Sequence, residues 1–510
     1  MPTKKCFLDI DLAKIYPAPK GRDKPIAVIG RGDFVEVVES TDSHIKTASW
    51  IYKEDENGVP VAQKTDGYIR LAGGLKAEDV VRPIGESDVL KVNFVDVQQG
   101  DGCVIETPSG KLMLVDGGDN QMFARYLAAR FRNTTEEKPK KIDCIVVTHG
   151  DADHFSGLTE IHKSETNPTK RKQLFIHPER VYHNGLMKRP GTIAGKSTPD
   201  KDMLGATVKV GKETWITGLV DDLREEDTAA MNQPFKQWRK ALDAWTERGD
   251  IHMQRLEAGM NDAFDFLEED GVEVEVLGPF TEDVDSKPAL KFLGTPKKEL
   301  GKGHNPYELL EGKEFKGLDA SHTINGHSVV LKITYGGFSF LLTGDLNDQA
   351  ERILTRAHNE GTINLLSDVL KAPHHGSADF SAAFLQAVQP LVSVVSSGDE
   401  SEQKEYIHPR ATLIGSLGKH SRLAEPIILV TEMVAFFKLM GNSTTVPAEA
   451  GKAPESYFGF SRAAYGIVKI RTNGQRMLVY TNSGKDDMKE AYAFEVDEMG
   501  VPQPADVIAL

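Results

Sequence analysis

Cysteine is scarce: the 510 residues hold only Cys6, Cys103 and Cys144, with no Cys-x-x-Cys pair. That excludes a disulfide framework and fits a reducing compartment. Long apolar runs are absent too, so nothing approaches the roughly 20 residues of a membrane-spanning helix. The N-terminus, MPTKKCFLDIDLAKIY, lacks the apolar core and small-residue cleavage site of a signal peptide. We therefore expect a cytoplasmic protein with no membrane partner. Basic residues are outnumbered, 61 Lys and Arg against 76 Asp and Glu for a net charge of −15. Nucleic acid cannot be held by a global basic surface, although a local patch or a metal cluster could hold it. Internal repeats and low-complexity tracts are missing as well. What remains is ordinary globular composition, 39% hydrophobic and 27% charged, on a chain long enough for two to four domains.

Residues 1–88 carry short β-like runs separated by turn signals, as in KPIAVIGRGDFVEVVES and DGYIRLAGG. They predict a small β-rich accessory module able to dock a partner protein, with no catalytic cluster. From residue 89 the texture changes. LKVNFVDVQQGDGCVIETPSGKLMLVDGG reads as three strands, QMFARYLAARF as a helix, and KKIDCIVV as a buried strand ending in THGDADH. Residues 160–270 read as a polar, irregular insertion, helical over WITGLVDDLREEDTAAMNQPFKQWRKALDAW. A second insertion falls at 280–320. Strands return at GVEVEVLGPF and at HSVVLKITYGGFSFLLTGDL, a hairpin about Gly336-Gly337. Residues 440–456 read as a linker, two strands follow, and 486–510 read as a C-terminal tail.

His149, Asp151, Asp153 and His154 lie within six residues directly after the buried strand. Imidazole and carboxylate are the ligand types that suit divalent cations. His149 and Asp151, two apart in a turn, can converge on one ion; Asp153 and His154, one turn later, can face another. A solvated loop with helix-capping aspartates explains single Asp residues, but not four ligand types after a buried β run.

This segment resembles the HxHxDH signature of the metallo-β-lactamase fold, with Asp151 in place of the second His. FVDVQQGDG resembles the family's DVGQGD, with Gln98 for a Gly, and LMLVDGG supplies an early Asp, Asp116. LLTGDL supplies Asp345, and LKAPHHGS and YIHPR complete the order with His374, His375 and His408. Together these are similar to the soluble metallo-β-lactamase domain of ComEC-type competence proteins, over roughly residues 89–485. The resemblance implies an α+β fold, an αββα sandwich with a site on one edge, and hydrolase chemistry. The implied ligands of two divalent ions (Zn or Mn, with Mg possible) are His149, Asp151, Asp153, His154, Asp345, His374 and His408. Asp345 would bridge, and the three carboxylates among them tilt preference toward Mn²⁺ or Mg²⁺. Asp153, His375 and His408 are the expected catalytic groups. Either His374 or His375 can ligate while the other donates a proton. Asp101 would orient a ligating His, and Lys371 would face phosphate or solvent. No motif fixes a further His ligand; His177, His183, His322 and His327 are the candidates.

The expected activity is phosphodiester hydrolysis on DNA. The basic runs at 138–141, 170–172 and 187–189, close to the cluster in sequence, are candidates for tracking the backbone. The competing expectations are a small anionic ester, lactone or cyclic nucleotide as substrate, and a partner-binding scaffold with a vestigial site.

Overall fold

Along the central strands apolar residues alternate in direction with period two, and both faces are covered. The structure, a computed structural model, describes residues 3–54, 60–193, 195–296, 315–398, 408–433, 436–444, 456–464, 466–481 and 490–510. Val92, Phe94, Cys144 and Val146 face one way and meet Val274, Leu331, Phe340 and Val392 of a second sheet. Val95, Val104, Ile145 and Val147 face the other way, beneath Phe123, Phe155, Leu158 and Trp238 of three helices. The second sheet's outward residues, Val330, Leu341 and Leu370, lie under Leu354, Phe384 and Leu413 of three more helices. The result is four layers, αββα, within an α+β fold.

The first sheet has ten strands, in the order His252–Arg255, Arg180–His183, Cys144–Val147, Leu112–Val115, Cys103–Glu106, Leu90–Val95, Ile467–Thr472, Arg476–Tyr480, Ala491–Val496 and Pro502–Ala505. The second has six: Val272–Gly278, Val330–Tyr335, Phe338–Leu342, Val369–Lys371, Val392–Val395 and Ile427–Val430. Tyr335 pairs with Phe338, so Gly336-Gly337 is the two-residue hairpin turn. Residues 3–83 hold a separate seven-stranded antiparallel sheet with its own core around Leu8, Ile15, Ile45 and Ile69.

Three features depart from the sequence reading. Residues 160–270 are no mere insertion, because Arg180–His183 and His252–Arg255 extend the main sheet in parallel register. The segment read as helical opens on the last two residues of a strand, Glu213–Ile216, and the α-helix covers only Gln233–Thr246. Asn232 starts that helix by accepting the Phe235 N–H at 3.0 Å. Glu213–Ile216 pairs with Lys287–Lys291, so the two predicted insertions form one small sheet. Residues 440–444 continue a strand, Phe436–Thr444, paired with Ser456–Ala464; the rest of the predicted linker lies mostly outside the described residues. The last 25 residues are no tail, since Ala491–Val496 and Pro502–Ala505 pair onto the main sheet. The chain end then returns to the N-terminal module through Leu12 N–H to Ile508 O and Leu510 N–H to Leu12 O, both 3.0 Å.

Between the first sheet and its helix, Glu106 accepts from Lys91 at 2.8 Å and pairs with Arg130. Burial pushes its carboxyl up, but Arg130 and Lys91 outweigh burial and hold it at about 2. A folded pKa below the unfolded ~4.3 stabilises the fold above that value, and the contribution is lost as pH falls toward 2. Thermal melts at pH 5 and pH 3 are expected to show a smaller acid-induced drop for Glu106→Gln than for wild type. An equal drop would remove this group as a source of acid sensitivity.

Candidate metal centre

The polar cluster lies where several parallel strands end together, the edge at which open α/β sheets gather their functional groups. Leu112–Val115 delivers Asp116, its parallel neighbour Cys144–Val147 delivers Thr148 and His149, and the helix Ala152–Ser164 begins just beyond. From the second sheet, Phe338–Leu342 delivers Asp345, Val369–Lys371 delivers His374 and His375, and Val392–Val395 delivers Ser396. Asn347, not Asp345, caps the following helix by accepting the Ala350 N–H, which leaves the Asp345 carboxylate for the site.

Asp345 is 2% exposed and stands between two imidazoles. His154 Nε2 lies 3.2 Å from its Oδ1, and His375 Nε2 lies 3.0 Å from its Oδ2. Each imidazole is oriented from behind. His154 Nδ1 meets Asp116 Oδ2 at 2.8 Å, and Asp116 accepts from the Thr148 N–H (2.8 Å) and hydroxyl (2.7 Å). His375 Nδ1 lies 3.2 Å from the Ser396 carbonyl and 3.3 Å from Asp101 Oδ1. Such partners fix the tautomer and aim Nε2 forward. Ligand atoms of Asp101, His154, Asp345 and His375 all lie within 4.8 Å of one another. Asp153, held by Gln99 Nε2 at 2.9 Å, lies 3.6 Å from His375 Nε2.

The backbone is shaped to this purpose. His374 and His375 adopt left-handed φ values of 47° and 51°, strained for residues with side chains. Hydrogen bonds from His374 N–H to Gly344 O and from Ser377 N–H to His374 O hold the turn. Gln98, where the family motif has Gly, also sits at φ 66°, with its N–H on Asp96 Oδ1 at 3.0 Å. Gly100 is required sterically: a Cβ there would lie 1.7 Å from the Asp153 carbonyl.

The electrostatics suit a cation. Burial alone would push His154 and His375 down, but Asp345 with Asp116, and Asp345 with Asp101, outweigh it and raise both imidazoles well above their ordinary range. Burial likewise opposes ionisation of Asp345, but His375, His154 and His374 hold it well below the usual carboxylate range. His149 is pushed well below by burial and by His154. Buried and without a hydrogen-bond partner are His149 Nε2, His154 Nε2, His375 Nε2 and Asp345 Oδ1. Orphaned atoms that converge and are all metal-ligand types fit a divalent ion.

Other predicted residues are placed differently. Asp151 occupies the helix N-cap position without capping; its Oδ1 accepts from Lys188 Nζ at 2.8 Å. His374 Nε2 is 3.8 Å from Asp345 Oδ2, and its ring lies 5.8 Å from that of His408. His408 is pushed down to about 4, by burial first and then by His374 and His375, so it is neutral near pH 7. None of the four candidates for a further ligand joins the cluster. His183 binds the Asp221 carbonyl and the Gly185 N–H, and His327 binds the Lys291 carbonyl. His322 faces Asp379 at 3.5 Å, and His177 packs at Gly249. Lys371 does not face solvent; it is buried against Asp101, with the Gly344 carbonyl at 2.9 Å. Of the basic runs only 187–189 reaches the site. The run at 138–141 precedes the N-terminal end of Cys144–Val147, and 170–172 follows the far end of a 13-residue helix, roughly 20 Å away at 1.5 Å per residue. The run at 187–189 brings Lys188 to Asp151; Gln99, Thr148 and Asn325 carry no signal in the sequence as site residues, because each is ordinary in its own segment.

A family model, Metallo-beta-lactamase superfamily, matches residues 95–208. Over 98 residues the chain is 35% identical to ComE operon protein 3 of Bacillus subtilis (strain 168), covering 19% of this chain and 12% of that protein. Over 115 residues it is 36% identical to Competence protein ComA of Neisseria gonorrhoeae, covering 22% of this chain and 15% of that one. The chain thus spans well under a quarter of the length of the curated relatives it matches. Among the described residues no helix is long and apolar enough to cross a membrane. The matched segment contains Asp101, Asp116 and the whole His149–His154 cluster, and with the four-layer architecture around it, it shows that this chain carries a metallo-β-lactamase superfamily domain, with partial similarity to ComE operon protein 3 and Competence protein ComA.

Proposed function

We propose that the chain is a metal-dependent phosphodiesterase that cleaves DNA. The observation that carries this reading is the buried Asp345 flanked at 3.2 and 3.0 Å by two imidazole nitrogens, all with orphaned ligand atoms. The name of one relative, Competence protein ComA, supports DNA over other phosphodiesters. Asp153, His154, Asp345 and His375 would hold the metal, Mn²⁺ or Zn²⁺, with His149 beside His154. Bound there, divalent ions make water a nucleophile near neutral pH and offset charge on the phosphate oxygens.

The chain's own residues do the rest. Asp153, positioned by Gln99, orients the attacking water and accepts its proton. His375, buried within the ligand cluster, holds the ion. His374, its side chain 23% exposed, sits at the mouth beside His408, and this pair relays a proton from solvent to the leaving alkoxide. Lys188 and Arg189 supply local positive charge at the rim. Residues 1–88 are proposed to dock a partner protein, and the chain to work in the cytoplasm.

The test is cleavage of closed-circular plasmid with added Mn²⁺. Wild type is expected to nick or linearise it, and the Asp153→Ala/His154→Ala variant is expected not to. Bound metal without cleavage would redirect the reading to a small anionic ester, lactone or cyclic nucleotide. Failure to bind metal after remetallation would leave a scaffold.

A further inference from the structure

Asp151 and Asp345 are both carboxylates of the same edge, yet they are treated differently. Asp345 faces imidazole nitrogens that have no hydrogen-bond partner, with Asp153 Oδ2 the further neighbour of His375 Nε2 at 3.6 Å. Both oxygens of Asp151 are already engaged. Oδ1 accepts from Lys188 Nζ at 2.8 Å, and with the Asn325 amide oriented to satisfy its neighbours, its nitrogen donates to Oδ2 at 3.0 Å and to the Ser321 carbonyl at 3.1 Å.

Lys188 is no loose surface lysine. Its carbonyl accepts the Asn232 N–H at 3.1 Å, the Arg189 N–H bonds the Met203 carbonyl at 2.8 Å, and Met187 before it is 5% exposed. Its ammonium also lies 3.4 Å from Ser321 Oγ. The backbone therefore delivers this ammonium to Asp151 from a segment 37 residues away. The asymmetry lies in the groupings: His154, Asp345 and His375 form one group of ligand atoms within 4.8 Å, with Asp101, engaged by Lys371, behind His375. A second group drawn from His149 and Asp151 lacks a free carboxylate.

We propose that Lys188 stands in for a second metal ion, so that the centre holds one tightly bound divalent cation and one fixed ammonium. This rests on the metal-dependent reading above and departs from the two-ion expectation. An ammonium is a compact point charge with three donors. It offsets negative charge on a phosphate as a cation does, but it does not acidify water, so the two positive charges divide the work. It also removes Asp151 from the oxygen donors that tilted the site toward Mn²⁺ or Mg²⁺.

The test is metal stoichiometry of the full chain, dialysed free of metal, loaded with Mn²⁺ and weighed by native mass spectrometry, with circular dichroism as the folding control. Wild type is expected to retain one Mn²⁺ per chain. Lys188→Met, or Lys188→Gln should the first misfold, is expected to retain two. Adding Asp151→His to the Lys188 variant is expected to tighten the second ion further, by at least about tenfold, as imidazole joins His149. Two ions on the wild type overturn the proposal and leave the phosphodiesterase reading standing. One ion on every Lys188 variant overturns it too, since something else then excludes the second. No ion on the wild type removes the metal-dependent reading itself.

Discussion

Replacing Asp345 with alanine is expected to lower metal-dependent plasmid cleavage by a factor on the order of 10³ or more and to weaken Mn²⁺ binding in parallel, with the circular dichroism spectrum unchanged. The carboxylate is the shared neighbour of both site imidazoles, His154 and His375, and no other carboxylate among the described residues reaches both Nε2 atoms. An ion held by this carboxylate would offset charge in the transition state by several kcal/mol, and each 1.36 kcal/mol is about tenfold in rate. Asp101→Asn provides the graded comparison. Asp101 touches His375 from behind, at Nδ1, and loss of such an orienting partner costs roughly 10–100-fold in metal affinity or activity. Calorimetric Mn²⁺ titration of both variants decides the matter. If Asp345→Ala binds Mn²⁺ as wild type does, Asp345 is not a ligand. If Asp101→Asn proves the more damaging, their roles are reversed.

The second large effect concerns how the N-terminal module is fixed to the four-layer domain. Asp11 is fully buried. It accepts from Arg476 Nε at 3.0 and 3.1 Å, from Arg31 Nε at 3.4 Å and from the Ile508 N–H at 2.9 Å. One carboxylate thus ties the module to a main-sheet strand and to the chain's last residues. Asp11→Ala leaves two nearly buried guanidinium groups with one counterion fewer. Breaking a buried pair by removing one partner costs about 3–5 kcal/mol. A variant is therefore expected in which Leu12–Tyr16 and residues 502–510 lose amide protection and become sensitive to protease. The double variant Asp11→Ala/Arg476→Met is expected to recover part of the loss, because the stranded charge is gone. Unchanged hydrogen exchange at both segments would show that the module is held by its apolar contacts instead.

The strands bearing the site were legible because their alternation and their motifs are local. A buried run followed by THGDADH must end at a polar edge, and Gly336-Gly337 between two apolar runs must turn. The four layers followed from the motif resemblance, and the packing of Val92 and Ile145 on opposite faces gives them their physical basis. What local pattern could not show was the destination of weakly patterned strands. Arg180–His183 and His252–Arg255 are four residues each, too short for periodicity to separate from loop. The terminal strand Pro502–Ala505 contains two prolines, which demote a run to edge or non-strand; it is indeed the outermost strand of its sheet.

At the centre the same division holds. The chemical inventory is written in the chain order: which imidazoles and carboxylates lie at strand ends, and that they are of metal-binding type. Tertiary structure alone decided their allegiance. Lys371, 270 residues from Asp101 in sequence, neutralises it, and Lys188 engages Asp151. His183 and His327 are drawn off to backbone carbonyls. Ligand type is a property of a residue, whereas charge compensation belongs to a pair brought together only by folding, and in a water-excluding pocket it is the pair that fixes which carboxylate remains free to hold a cation.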